Sequence, residues 1–169
     1  RARHALAGRG LSQFLTLTVV GVPAFLLATI LLSRAVAVGP DEIPPWSSIA
    51  LLLVVGSMAW LSLFPFHAWL PGIMGAGQCL GAGWVAGILQ PLMLVTLARV
   101  MQAYPELSAQ PQAQQIALIA AAATAAVGAV GAAFARHPGR TLGFTALTAM
   151  APLFIVSQTS AGLTTPFWM

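Results

Sequence analysis

Five apolar runs, at 11–32, 47–64, 75–98, 116–134 and 141–156, dominate this chain. Each approaches the roughly 20 residues that a helix needs to cross the hydrocarbon of a bilayer. With 59% hydrophobic and 6% charged residues, there is too little polar surface to coat a water-soluble globule. No run alternates polar and apolar residues over about ten positions, as a membrane-barrel strand would. The expectation is therefore an all-α fold, a polytopic membrane helix bundle of about five transmembrane segments, with residues 1–169 forming a single membrane domain.

The connections carry the polar residues and the prolines. SRAVAVGPDEIPPW reads as a loop after the first segment, and Pro65 is expected to stop the second, because proline removes a backbone donor and disfavours helical geometry just before it. YPELSAQPQAQQ separates the third segment from the fourth. The fourth, IALIAAAATAAVGAVGAAF, is rich in Ala and Gly, which let helices approach closely where lipid supplies no hydrophobic drive. ARHPGR then leads into the fifth. No internal repeat and no separate soluble domain is visible, and the opening RARHALAGRG lacks the apolar core of a signal peptide.

Seven arginines face Asp41, Glu42 and Glu106, and there is no lysine. Without a basic run interleaved with aromatics, no nucleic-acid surface is expected. Arg1, Arg3, Arg9, Arg136 and Arg140 fall on one side of the expected topology, and Arg34 and Arg99 on the other. Positive-inside bias then puts the N-terminal end, the PFHAWLP turn and the ARHPGR loop in the cytoplasm. Cys79 lies in an apolar run and has no second cysteine to pair with. His4, His67 and His137 are far apart and lack carboxylates at metal-ligand spacing, so no metal, cofactor or catalytic residue is expected. GAGQCLGAG is glycine-rich but apolar, which suits helix packing rather than phosphate binding.

The stretch FPFHAWLPGIM, with Pro65, Phe66, His67, Trp69, Leu70 and Pro71, resembles the PFHxWLP signature of antiporter-like membrane subunits. That family is shared by respiratory complex I, Mrp-type cation/proton antiporters, membrane-bound hydrogenases and DAB-type inorganic-carbon transporters. The resemblance continues at Arg99, which stands 28 residues after Pro71 as the family's helix-ending arginine does. It extends more loosely to His137–Thr148, which is similar to the family's D-x-K-R loop and following L-A-Y-S-T-I-S helix. It covers nearly the whole chain but only the middle helices of a family member, implying a fragment or a reduced relative.

The resemblance also shows what has changed. The family's proton relay uses a lysine five residues before the first motif proline, a histidine 14 residues after the last, and the lysine of D-x-K-R; these positions hold Trp60, Val85 and Gly139 here. None can carry a proton. The family's TPVSA reads QCLGA, Gln78 to Ala82, without its proline.

The remaining polar residues each have two readings. His67 either holds the turn at a membrane–water boundary or exchanges protons there. Gln90 either glues two helices or lines a polar path, and Arg99 and Arg140 are either snorkelling end charges or conducting groups. Trp46, Trp69 and Trp168 are expected as interfacial anchors and Trp60 as apolar filling. Pro23 and Pro91 are expected to kink their helices.

The resemblance implies a membrane subunit of a proton- or cation-coupled complex. With its relay replaced, scaffolding or coupling is expected, beside other membrane subunits in the lipid bilayer, in a bacterial inner membrane. The alternative is a DAB-type inorganic-carbon uptake subunit with a peripheral carbonic-anhydrase-like soluble partner. VAGILQ, 85–90, faintly resembles that branch's HAGIVN but lacks the histidine.

Overall fold

The computed structural model describes residues 2–37, 45–75 and 83–159. Asp41, Glu42, Cys79, the QCLGA stretch and Trp168 lie outside the described residues, as do the side chains of Arg3, His4, Arg9 and Val85. Among the described residues there is no strand. Helix α1 runs Ala2–Ala37 and α2 Trp46–Trp60; a 3₁₀ turn, Phe66–Ala68, leads into α3, Trp69–Gly75. A π turn at Val85–Leu89 opens into α4, Gln90–Ala103, then the single turn α5, Pro105–Ser108. Helices α6, Pro111–Phe134, and α7, Pro138–Thr159, close the bundle.

Four stretches are long and apolar enough to cross a bilayer, Ser12–Ala37, Ala86–Ala103, Pro111–Phe134 and Pro138–Gln158, and α2 is a shorter apolar helix. Proline opens α5, α6 and α7, where its missing N–H removes no helical bond. Helix α1 continues through Ser33–Ala37, which the sequence reading assigns to a loop. Its last turn carries Arg34, a favourable charge at the negative end of a helix.

The outer surface is apolar. Val19, Leu26, Ile30, Leu118, Ile119 and Phe134 are exposed, a liability in water but the natural boundary toward lipid. Hydroxyls on that surface bond back to their own helix, as Thr16 does to the Ser12 carbonyl and Thr96 to that of Leu92. Inside, Ala28, Ile49, Leu53, Val54, Leu97, Met101 and Phe154 form the main core.

Helices α6 and α7 form a close antiparallel hairpin. Gly131 faces the Phe144 ring so closely that a β-carbon there would overlap it. The second crossing is built differently. Helix α2, with 15 residues, is about 22 Å long, too short for a hydrocarbon layer of about 30 Å. It is continued by α3 along the same face of α1: Gly56 meets Phe25, Trp60 meets Gly21, and the Trp69 ring lies 4.8 Å from that of Phe14. Residues 46–75 thus run antiparallel to α1 as one broken passage.

The break corrects the expected boundary at Pro65. Helix α2 ends at Trp60 because Ser62 adopts a left-handed conformation, φ 58°, and the Leu63 N–H turns back to the Met58 carbonyl. This is a Schellman stop with serine in the position glycine usually fills.

Candidate functional site at the break in the second crossing

A break inside a bilayer leaves backbone groups that water cannot satisfy, so side chains must. Two supply the need. Gln90, at the start of α4 and 1% exposed, donates from Nε2 to the Leu61 carbonyl at 3.2 Å and to Ser62 Oγ at 3.0 Å. Thr124, fully buried in α6, accepts from the Phe64 N–H at 2.7 Å and donates to the Ala120 carbonyl at 2.6 Å. Three elements distant in sequence therefore meet at one discontinuity. The π turn precedes Gln90, and Pro91 follows it with no N–H to give.

Phe64 bonds to Thr124 near the middle of α6, while Pro65 and Phe66 lie against Ser12, Gln13 and Thr16 at the start of the apolar stretch of α1, and Phe64, Pro65 and Ala68 remain exposed. The motif thus runs from the break toward the polar end of that stretch. Trp69 within it is not an interfacial anchor. It is 1% exposed, packed with Leu70 and Leu147, and its Nε1 is buried without a hydrogen-bond partner. Pro71 lies against α7, where a β-carbon on Gly143 would stand 2.7 Å from the proline Cα. His67 is half-buried and stacks on Phe64 at 5.6 Å with an interplanar angle of 18°. Its Nδ1 is buried. Pro65 and Phe66 line a shallow cavity of about 290 Å³ with Ser12, Gln13 and Thr16.

Two of the replaced relay positions are described in full. Trp60 lies over Gly21, where a β-carbon would come within 2.9 Å of the indole, and borders an apolar cavity of about 290 Å³ with Phe25, Leu26, Leu92 and Met93. Gly139 starts α7 against the end of α3, and any β-carbon there would collide with the Met74 carbonyl oxygen. A lysine cannot occupy that position without parting the two helices. Of Val85 only the backbone, at the first residue of the π turn, is described.

The structure does not gather Gln90, Arg99 and Arg140 into one path. Arg99 is exposed and about 13 Å further along α4 than Gln90. Arg140 is also exposed at the start of α7, with its aliphatic stem over Gly75. Among the described residues no cluster of His, Cys, Asp or Glu could hold a metal. Ser62 and Thr124 escaped the sequence reading. The available signal for Thr124 was its isolation, as the one hydroxyl in the run IALIAAAATAAVGAVGAAF.

An apolar helical bundle with one broken crossing braced by neutral polar side chains defines an integral multi-pass membrane protein. More narrowly, the chain belongs to the NADH:quinone oxidoreductase/Mrp antiporter transmembrane family, whose model matches residues 29–165. No curated protein and no solved structure gives a significant match. Membership makes this chain an antiporter-like membrane subunit of the complex I/Mrp type, a family whose members are subunits of multisubunit membrane complexes.

Proposed function

We propose that this chain scaffolds or couples a proton- or cation-translocating assembly in a bacterial inner membrane without itself carrying the proton across the membrane midplane. The observation that supports this most is Gly139. Where the family resemblance places a relay lysine, the backbone of α3 occupies the space a side chain would need. Trp60 adds to it, covering Gly21 with an indole instead of presenting an ammonium at the break. A proton crossing here would meet a region in which the groups joined across the break are amide and hydroxyl, and an unsolvated charge in such a setting costs several kcal/mol. These neutral groups suit fixing geometry. The inorganic-carbon alternative rests on VAGILQ alone, and no feature of the break favours it.

His67→Ala tests the reading. In a scaffolding subunit, loss of the Phe64–His67 stack lowers the yield of assembled complex while ion-coupled activity per assembled complex is kept. Normal yield with lost activity would assign His67 to proton exchange and contradict the proposal.

A further inference from the structure

We propose that the break in the second crossing holds one buried water molecule, bound between Gln90 Oε1 and the Ser62 hydroxyl. The Leu61 carbonyl can only accept, so the amide nitrogen of Gln90 must face it, which fixes Oε1 on the opposite branch. That oxygen is buried and accepts no hydrogen bond. Ser62 Oγ accepts from Gln90, leaving the serine's own proton to be donated, and no bond donated by Ser62 is found among the described residues. Pro91, next to Gln90 in sequence, has no N–H to offer.

An acceptor without a donor thus neighbours a donor without an acceptor. Ser62 Oγ is 3.0 Å from Nε2. The two polar atoms of one amide are about 2.3 Å apart, so Oε1 and Oγ can be separated by no more than about 5.3 Å. Two water hydrogen bonds of about 2.8 Å span that separation. Water can donate to Oε1 and accept from the hydroxyl, using two of the two to four bonds a buried water usually makes. No neighbouring subunit can do the same, because Gln90 is 1% and Ser62 0% exposed. A cation fits poorly, since the Gln90 amide protons point at the oxygens that would ligate it, and the carboxylate among the described residues, Glu106, stands in α5. With neutral groups on both sides, this water completes the bracing of the break and is not a step in a proton wire.

Hydroxyl radicals generated from bound water by X-ray pulses label adjacent buried side chains, which gives the test on the intact complex. Leu61 and Leu63, both 0% exposed, should be modified several-fold faster than Leu53 and Leu107, which are 2% and 1% exposed and stand in the body of α2 and in α5. Ser62→Ala should bring them down to the level of those controls. Equal rates in the wild type would overturn the proposal, as would fast labelling that Ser62→Ala leaves unchanged. Thermal stability that falls when Na⁺ is exchanged for a large organic cation, with that dependence lost in Ser62→Ala, would also overturn it by showing a cation at the site. If Ser62→Ala does not assemble, the wild-type ratio alone decides.

Discussion

The α6–α7 hairpin and the broken crossing α2–α3 solve the same problem, joining apolar helices in a solvent that gives them no hydrophobic drive, by opposite means. The hairpin uses absence of side chain. Gly128 and Gly131 let Phe144 and Thr148 lie against the α6 backbone, and its helical hydrogen bonds are local. The broken crossing uses presence of side chain. Gln90 and Thr124 reach across 29 and 60 residues of sequence to hold backbone groups that the helix no longer holds. The first design packs two rods, and the second fixes a discontinuity at a chosen depth. Where the two meet, at Gly139 beside Met74, the close-packing rule also excludes the lysine that the family's relay requires.

The largest effect should come from forcing the two designs apart. Gly139→Lys must displace the Met74 carbonyl, a backbone group, on top of the about 1–3 kcal/mol that overpacking a well-packed core typically costs. Complex yield should collapse, whereas Ala133→Lys, an exposed site on the same hairpin, should assemble far better. Equal yields of the two variants would show that the helix contact is not tight.

Thr124→Val should cost about 1–3 kcal/mol, because it keeps the shape of the side chain but leaves the Phe64 N–H unpaired. Thr124→Ser should be nearly silent. Thermal melting of the assembled complex separates them, and hydrogen exchange at Phe64 should accelerate in the valine variant alone. Matching melting temperatures for valine and serine would mean that the break does not depend on this tether.

The smallest and most diagnostic effect belongs to Ser62. Glycine removes the cost of a left-handed conformation, on the order of 1–3 kcal/mol for other residues, but also removes the hydroxyl that accepts from Gln90. Ser62→Gly should therefore lie within about 1 kcal/mol of wild type, while Ser62→Ala, which keeps the strain and loses the bond, should be clearly less stable. Alanine equal to glycine would argue against a backbone constraint at this position.

The two designs were not equally legible. Alternating apolar runs and polar connectors lead directly to helices, and the small-residue run at 116–134 announces a close contact. The broken crossing hid behind its own stop signal. A Schellman stop usually shows itself by glycine, and here it carries Ser62, so Pro65 stood out instead and shifted the expected helix end by four residues. The bracing was hidden for a different reason. A glutamine in an apolar run signals that it needs a partner but not which one, and the Leu61 carbonyl is a backbone atom with no residue signature. Trp69 misled because an indole beside prolines reads equally well as an interfacial anchor or as core.

The central claim, that no proton crosses the membrane midplane through this chain, is tested most directly by proton flux in proteoliposomes containing the intact complex, normalised to assembled protein. Arg99→Ala and Gln90→Leu remove the charged and amide groups of α4 that a substitute route would use. The account predicts flux per complex equal to wild type for both, even where Gln90→Leu lowers yield by unpairing the Leu61 carbonyl. Flux abolished by either substitution in a normally assembled complex would contradict it.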